Sequence, residues 1–293
     1  MIDLHCHSTC SDGTMTPAEL LQLAEEIGLT LFAISDHNTV GAYESVKDPA
    51  VRSLFSGKMI TAAEIGCILR GQLVEILGYG CDPEKLDVYL QSRKKPPVFP
   101  PRELTMIYDT YRALGVRLDL DPNDYSKEKY VSPKRMIFHQ LKHPDNTKFF
   151  MDPANQDNMM GYYWKELYNP DSPLYVDYTP LSGSPTDVIN AIHQAGGKAF
   201  LAHCFNYTDI VYDHLEEIIK EFPLDGIECW YPAFTPDQSA YLEEFCETHG
   251  LLMSGGSDFH AANRPGTALG TGIDNNLFVK EEKILPWAEK YFF

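Results

Sequence analysis

The stretch Asp3-Leu4-His5-Cys6-His7, followed closely by Ser11-Asp12-Gly13, places two histidines and an aspartate near the start of the chain. Side chains on a β-strand alternate between its two faces, so His5 and His7 point to one side and the cysteine between them to the other. Two imidazoles side by side at a strand end are a natural half-site for a divalent metal. Asp12 lies just beyond the strand, where a turn would bring its carboxylate back toward them. The stretch therefore predicts a strand that ends at a metal site.

The first third of the chain alternates short apolar strands with an amphipathic helix. Thr16 and Pro17 mark the helix start, Glu19 closes a capping box, and Gly28 ends the helix. This alternation predicts a parallel β/α architecture. The predicted strands are Ile2–Cys6, Leu31–Ser35, Lys58–Cys67 and Leu73–Tyr79.

The same alternation returns after residue 180, with a second capped helix that begins at Ser184 and ends at Gly196-Gly197. The later predicted elements are the strands Lys198–Ala202, Leu224–Trp230 and Leu251–Ser254 and the helix Pro236–His249. Residues 82–180 show no such alternation and are rich in Pro, Asp, Asn, Tyr and Lys. We therefore expect an α/β unit from 1–81 and 181–293, with 82–180 as a helical insertion that covers a site and contributes to substrate binding. Its predicted helices are Glu103–Gly115, Pro133–Lys142 and Asn158–Tyr168.

Charge and cysteine content narrow the classes of function. The chain has 24 Lys and Arg against 42 Asp and Glu, a net charge of −18, which disfavours a long basic track for duplex nucleic acid. A small phosphorylated substrate stays compatible, because bound cations would reverse the charge locally. The seven cysteines form no CxxC motif, which is typical of reduced thiols in a cytoplasmic protein. No basic leader precedes an apolar segment and no apolar run could span a membrane, so we expect no membrane partner.

Polar, metal-competent side chains recur at or just after the predicted strand ends. In β/α folds this is the edge where strand-to-helix loops converge and active sites form. A lone histidine there is more often structural, but repeated placement favours a shared metal site. Asp12 could instead simply form a turn before Gly13, and Glu64 could be a surface carboxylate. The candidate metal ligands are His5, His7, Asp12, His37, Glu64, Glu75, His203, Asp258 and His260.

The sequence resembles the PHP (polymerase and histidinol phosphatase) family of metal-dependent phosphoesterases, within the amidohydrolase-like enzymes. The resemblance rests on short motifs that span the chain outside the insertion. These motifs are Asp3-Leu4-His5-Cys6-His7-Ser8 with Ser11-Asp12-Gly13, Ala33-Ile34-Ser35-Asp36-His37-Asn38-Thr39, Ala63-Glu64-Ile65, Gly196-Gly197-Lys198-Ala199 with Ala202-His203, and Gly255-Gly256-Ser257-Asp258-Phe259-His260. The residues of the first and last motifs are similar to those of the nucleotide-phosphatase-like branch of the family.

The resemblance implies a distorted (β/α)7 barrel with two or three divalent metal ions, manganese, iron or zinc, at its mouth. One metal would bind His5, His7, Glu64 and Asp258. A second would bind Asp12, His37 and His260. A third would bind His203 and share Glu64. The chain departs from the family pattern at Glu75, where a histidine is usual, at Cys204, where a proline is usual, and at Ala233-Phe234, where a histidine is common. Glu75 would favour manganese, magnesium or iron over zinc and leaves occupancy of the third site open.

The expected chemistry is attack on phosphorus by a metal-bridging hydroxide, with Asp258 or His260 assisting proton transfer. Asp36 either orients a ligand through a hydrogen bond or caps a strand end. Lys134 and Arg135, at a predicted helix start, and Arg264 are candidate phosphate-binding residues, although the first two could equally be a solvated helix start.

We therefore expect a phosphoesterase that hydrolyses a small phosphorylated metabolite. A nucleotide phosphomonoester, such as a nucleoside mono- or 3′,5′-bisphosphate, fits best, and a short RNA end is an alternative substrate. Two other functions stay open. One is an amidohydrolase acting on a C–N bond, although the only lysine near a strand, Lys198, lies at a strand start. The other is a non-catalytic, metal-stabilised module.

Overall fold

The computed structural model describes residues 1–94 and 98–293. The first two strands of the chain are shorter than the sequence pattern predicts, because regular pairing in each of them stops after two residues. The strands are β1 (Ile2–Asp3), β2 (Leu31–Phe32), β3 (Lys58–Met59), β4 (Ala62–Leu69), β5 (Gln72–Tyr79), β6 (Lys198–Leu201), β7 (Gly226–Trp230), β8 (Leu252–Gly255), β9 (Thr267–Ala268) and β10 (Gly272–Ile273).

The strands pair into three sheets. Strands β1, β2 and β3 form a parallel sheet. Strands β4 to β8 form a five-stranded sheet in chain order, and β9 pairs with β10. The fold is thus mixed α/β, which confirms the predicted class at that level.

The prediction of an all-parallel arrangement is wrong for the middle of the larger sheet. β4 pairs antiparallel with β5, and β5 pairs antiparallel with β6, whereas β6, β7 and β8 run parallel. Only Arg70 and Gly71 separate the paired ends of β4 and β5, and both have positive φ. A two-residue turn of this kind closes a hairpin and is too short for a parallel crossover.

Isolated backbone contacts, outside the regular ladders, link the two larger sheets on both sides. The amide of Leu4 donates to the carbonyl of Gly255 over 3.2 Å, and Cys6 bridges to Phe259. On the other side His37 bridges to Glu64. In the described residues the ladders themselves stay separate and do not close into a continuous sheet.

The helices begin where the sequence predicts capping. Thr16 and Ser184 each cap a helix by accepting a hydrogen bond from the backbone three residues on, and Glu19 and Asp187 return it. Among the described residues no helix combines the length and apolar character needed to cross a membrane. The helices are α1 (Pro17–Glu26), α2 (Ala42–Val46), α3 (Pro49–Arg52), α4 (Pro83–Arg93), α5 (Arg102–Leu114), α6 (Lys127–Tyr130), α7 (Pro133–Leu141), α8 (Met159–Gly161), α9 (Pro185–Gln194), α10 (Asp209–Tyr212), α11 (Leu215–Glu221), α12 (Pro236–His249) and α13 (Glu281–Ala288).

The described part of 82–180 contains helices and turns and no strand. The predicted helix Asn158–Tyr168 is divided into α8 and a π-helical segment, Tyr162–Leu167. Buried side chains between Leu104 and Tyr178 form an apolar cluster of their own, separate from the cluster that surrounds the sheets. The tip of the β4–β5 hairpin reaches this region, where the Tyr175 hydroxyl donates to the Gly71 carbonyl over 2.8 Å.

Candidate metal centre

Four buried side chains converge beside the end of β1. Nε2 of His5 lies 3.3 Å from Oε2 of Glu64 and 3.4 Å from Oδ1 of Asp258. Nε2 of His7 lies 3.3 Å and 3.1 Å from the same two oxygens. All four potential ligand atoms lie within 4.8 Å of one another. The structure thus brings together the first ligand set that the family resemblance implies.

Several of these converging atoms lack a hydrogen-bond partner within residues 1–94 and 98–293. They are Nε2 of His5, both ring nitrogens of His7 and Oε2 of Glu64. Leaving a buried polar atom unsatisfied costs about 1–3 kcal/mol, so such a concentration of them needs a compensating ligand. A divalent cation accepts imidazole lone pairs and carboxylate oxygens together. The donor set therefore fits a metal ion.

A second group, more open to solvent, contains Asp12, His37 and His260. Oδ1 of Asp12 lies 3.2 Å from Nε2 of His260 and 3.7 Å from Nε2 of His37. Nδ1 of His7 is 3.8 Å from the same oxygen, so His7 faces both groups. The Asp12 side chain is 57% exposed, which leaves this side of the centre accessible to a substrate.

Glu64 also belongs to a third group around Glu75. Nδ1 of His37 lies 3.1 Å from Oε2 of Glu64 and 3.3 Å from Oε1 of Glu75. Nε2 of His203 lies 2.9 Å from Oε1 of Glu64 and 3.4 Å from Oε2 of Glu75. Glu75 therefore stands between the two histidines, where the family resemblance leads us to expect an imidazole.

Glu64 and Glu75 lie inside their strands, not at strand ends as the sequence pattern predicts. Both strands belong to the long β4–β5 hairpin, which continues past the metal-competent cluster toward the insertion. Their position in the chain thus differs from the prediction, although their side chains reach the same place.

Two glycines permit the close approach of the ligand-bearing segments. A Cβ atom at Gly13 would overlap the carbonyl oxygen of His7, so only glycine allows the turn that returns Asp12 to the histidines. A Cβ atom at Gly256 would collide with the backbone nitrogen of His5. These contacts explain why the ligand motifs carry glycine at these positions.

The backbone is strained at two candidate ligands. His203 has φ 24° and Asp258 has φ 52°, in the region that residues with a Cβ atom rarely occupy. Such conformations cost about 1–3 kcal/mol each and persist where the surroundings enforce them, commonly at functional sites.

The electrostatics of the cluster link carboxylates to protonated imidazoles. Burial raises the pKa of a carboxyl group, yet His5 and His37 hold the pKa of Glu64 well below its usual range. Burial lowers the pKa of His203, but the Glu64 and Glu75 carboxylates raise it to about 10. Without a cation, protons on His5, His37 and His203 compensate the carboxylates, whereas burial lowers the pKa of His7 to about 3. A bound metal would replace those protons.

Asp36 acts on the loop that carries the ligands. Its Oδ1 accepts hydrogen bonds from the amide of Ser8 over 2.7 Å and from the hydroxyl of Ser11 over 2.6 Å. The Ser8 hydroxyl donates to Oδ2 over 2.6 Å. Asp36 thus fixes the turn between His7 and Asp12, which differs from the expected hydrogen bond to a ligand side chain.

Arg264 lies beside Asp258, as expected for a residue at the site. Its guanidinium donates to Oδ2 of Asp258, and its Nη2 donates to the Tyr231 hydroxyl over 2.8 Å. Tyr231 in turn donates to Oδ2 of Asp258 over 2.9 Å. These contacts occupy one carboxylate oxygen and leave Oδ1 facing the histidines.

A cavity of about 480 Å³ connects the metal-competent cluster with the insertion. Asp12, His37 and Glu75 line one part of its wall, and Lys134 lines another. Arg135 is exposed and is not among the residues that line this cavity. The remaining lining residues are Asn38, Gly66, Leu73, Leu90, Arg93, Lys94, Glu103, Tyr168, Tyr178, Leu181 and Ser182.

Sequence reasoning missed four polar residues near the cluster. Arg93 is the last residue of α4 and donates to the Gly66 carbonyl of the hairpin over 2.8 Å, Lys94 follows it, and both line the cavity. Tyr231 contacts Asp258, and Glu228 contacts His5. A glutamate inside the apolar strand predicted at 224–230 was the one available signal, because buried strands seldom carry an unpaired charge.

The fold and this cluster together define a class, a mixed α/β protein built around a site of histidines and carboxylates. The chain belongs to the PHP domain family, whose model matches residues 3–226. The matched span contains most of the candidate ligands and ends before Asp258 and His260.

Known relatives match this chain over most of its length. A 3′,5′-nucleoside bisphosphate phosphatase from Chromobacterium violaceum is 28% identical over 276 residues, covering 92% of this chain and 90% of that protein. A 5′-3′ exoribonuclease from Haemophilus influenzae is 27% identical over 263 residues, covering 88% of this chain and 89% of that protein. A solved Chromobacterium violaceum structure, described as an amidohydrolase with bound sulfate and no metal, has a TM-score of 0.70 and 25% identity, covering 100% of this chain and 97% of that one.

Proposed function

We propose that this protein is a metal-dependent phosphoesterase that hydrolyses a small phosphorylated metabolite. The observation that carries the proposal is a set of three buried nitrogens of His5 and His7 and one buried oxygen of Glu64 that have no hydrogen-bond partner in the part of the chain that the structure describes. Membership of the PHP domain family supports it, as do the relatives named for phosphatase and exoribonuclease activities.

Two or three divalent ions, manganese, iron or zinc, would occupy the centre. The first set of ligands is His5, His7, Glu64 and Asp258, and the second is Asp12, His37 and His260 with His7 adjacent. A third ion would use Glu64, Glu75 and His203, with His37 nearby. Two carboxylates in this last set favour harder ions than zinc.

The proposed roles of the reacting residues follow from their contacts. Bound divalent ions neutralise phosphoryl oxygens and lower the pKa of water. Asp258 would bind the first ion through Oδ1, because Tyr231 and Arg264 already occupy Oδ2, and the second lone pair of Oδ1 would accept a proton. His260 acts through Nε2, since its Nδ1 is 2.9 Å from the Asp258 carbonyl. As a neutral ring it would bind the second ion, and only as a protonated ring released from that ion would it donate to the leaving oxygen. Arg264 steadies the phosphoryl group by exchanging one of its contacts to Asp258.

We propose a nucleoside bisphosphate as the substrate because two kinds of side chain line the cavity. The metal-competent side chains suit the phosphoester that is cleaved. Lys134, Arg93 and Lys94 suit a second phosphate, and the Glu103 carboxylate, which raises the pKa of Lys134, lines the same cavity. A cavity of about 480 Å³ can hold one nucleotide, and a short RNA would enter it by its terminal nucleotide. Arg135 stays a prediction, with its side chain on the exposed side of α7.

We also propose the domain division and the barrel that the sequence predicts. The contacts of Leu4 with Gly255 and of His37 with Glu64 support a distorted barrel in which the two larger sheets act together. The separate apolar cluster between Leu104 and Tyr178 supports 82–180 as an inserted unit that covers the site.

An amide hydrolase is the second candidate, favoured by the description of the Chromobacterium violaceum structure. Such enzymes commonly use a lysine as a metal bridge. Lys198 does not serve here, because its Nζ is paired with Asp225 at the start of β6.

The proposal is tested by phosphate release from a panel of phosphomonoesters, cyclic phosphates and nucleoside 3′,5′-bisphosphates. Each substrate is assayed with added manganese and again after chelation. We expect chelator-sensitive release that is fastest with a 3′,5′-bisphosphate. Absence of release from every ester, in protein shown to contain metal, would contradict a phosphoesterase, and release from an amide would support the second candidate.

A further inference from the structure

Glu228 lies in β7 and is fully buried, with each carboxylate oxygen committed to a different candidate ligand. Oε1 lies 2.8 Å from Nδ1 of His5. Oε2 accepts the backbone N–H of His203, also over 2.8 Å. A bulge in the pairing of β7 with β8 follows Glu228 directly, and bulges of this kind re-aim side chains beside active sites. One side chain therefore touches two segments that are far apart in sequence.

The contact with His5 decides which of its ring nitrogens is free. An ionised carboxylate only accepts hydrogen bonds, so Nδ1 of His5 has to carry the proton that it shares with Glu228. The lone pair of the neutral ring then lies on Nε2. That atom faces the carboxylates of Glu64 and Asp258 at 3.3 and 3.4 Å. The hydrogen bond thus selects the tautomer that can bind a metal.

The contact with His203 holds a strained backbone. With φ at 24°, His203 occupies a conformation that a histidine rarely adopts without support. Its backbone N–H is fixed by Glu228, and its ring then extends to within 2.9 Å of Glu64. Releasing this N–H would let the backbone relax and carry the ring away.

We propose that Glu228 is a positioning residue that fixes two metal-binding histidines at once, setting the tautomer of His5 and the backbone of His203. The inference rests on the proposed metal centre. It assigns to Glu228 a role distinct from that of Glu64, which faces Nε2 of both rings, because Glu228 reaches Nδ1 of His5 and the backbone N–H of His203 with two acceptors and no donor.

A comparison of two substitutions separates this role from simple packing. Glu228→Gln keeps the shape of the side chain but replaces one acceptor by an NH2 donor. The backbone N–H of His203 donates to the remaining acceptor, so the NH2 group faces Nδ1 of His5. The ring proton of His5 then has to lie on Nε2. Glu228→Asp keeps both acceptors but is shorter and leaves a gap. Positioning thus predicts weaker metal binding in Glu228→Gln than in Glu228→Asp, and packing predicts the reverse.

The test is competition for Zn2+ between each metal-free variant and a chromogenic chelator. We expect Glu228→Gln to bind Zn2+ roughly 10- to 100-fold more weakly than the original protein, with Glu228→Asp in between. Glu243→Gln is the matched control, because that carboxylate contacts Trp230 and Lys280 and neither candidate ligand. It should bind Zn2+ as the original protein does.

A second readout does not depend on affinity. In the Zn2+-loaded protein, long-range proton–nitrogen correlation spectra should show a protonated Nδ1 for His5, and this signature should be absent in Glu228→Gln. If Glu228→Gln binds Zn2+ as tightly as Glu228→Asp or more tightly, with the His5 signature retained, the positioning role is wrong. If the original protein binds no Zn2+, Mn2+ or Fe2+, the proposed metal centre itself is wrong.

Discussion

Replacing Lys134 by methionine tests whether this lysine in the cavity wall binds a second phosphate. Nζ of Lys134 donates to the Tyr168 hydroxyl over 2.7 Å, and it lies 5.1 and 5.3 Å from the ring centres of Tyr163 and Tyr168. Burial opposes the charge, but Tyr168 and Glu103 raise the pKa of Lys134, so the ammonium stays charged at any assay pH. Methionine retains most of the apolar stem and removes only the cation.

The expected loss is that of one charge-assisted hydrogen bond to phosphate. Such a bond contributes about 1.5–3 kcal/mol, which corresponds to roughly 10- to 150-fold in kcat/KM. We therefore predict a fall of this size for adenosine 3′,5′-bisphosphate. Adenosine 3′-monophosphate and adenosine 5′-monophosphate each carry one of the two esters without a second phosphate. For the monophosphate that is hydrolysed, kcat/KM should change by less than about threefold, because no ion pair is lost.

The assay is phosphate release from both substrates by Lys134→Met and by a control, Lys142→Met. Lys142 follows the same helix, and its side chain is 46% exposed and near Asp157. The control should hydrolyse both substrates as the original protein does. If kcat/KM of Lys134→Met falls equally on both substrates, or does not fall on the bisphosphate, the assignment of Lys134 as a phosphate-binding residue is refuted.

Other predictions concern the metal centre itself. His37→Ala and Asp258→Ala should each reduce phosphate release below detection while the thermal midpoint and the circular dichroism spectrum change little; turnover near that of the original protein in either variant would overturn the ligand assignment. Glu75→His should shift the preference of the centre from Mn2+ toward Zn2+, because imidazole is a softer ligand than carboxylate; an unchanged ratio in a competition between the two ions would contradict a ligand role for Glu75. Since the pKa of His203 is raised to about 10 in the metal-free protein, its proton has to leave when metal binds, and apparent metal affinity should increase as the pH rises from 7 to 9. A flat or falling affinity over that range, measured by calorimetry in two buffers, would remove His203 from the ligand set.

The residues of the metal-competent cluster come from short motifs. Strand alternation predicts that His5 and His7 share one face, and although the regular strand ends at Asp3, the structure shows both rings directed at Glu64. The position of Asp12 could also be predicted, because Gly13 next to it marks a local turn that brings the Asp12 carboxylate back toward the histidines. Local periodicity and turn chemistry are enough for features of this kind.

Features that depend on long-range packing could not be predicted in the same way. The antiparallel β4–β5 hairpin follows from the turn at Arg70 and Gly71, but a parallel β/α rhythm elsewhere in the chain favours the wrong pairing. From the sequence alone Arg93 is an ordinary solvated residue at a helix end, whereas the structure places it beside the cavity. Glu228 is visible as a charge in an apolar strand, yet its two partners are 223 and 25 residues away in sequence.

The most direct test of the account is a metal titration of the metal-free protein with adenosine 3′,5′-bisphosphate as substrate. Mn2+ is added in steps while bound metal is measured by elemental analysis and phosphate release is followed. We expect no release without metal, and release that rises as at least two ions bind to each chain. Full release in the absence of bound metal, or two bound ions without release from any phosphoester, would contradict it.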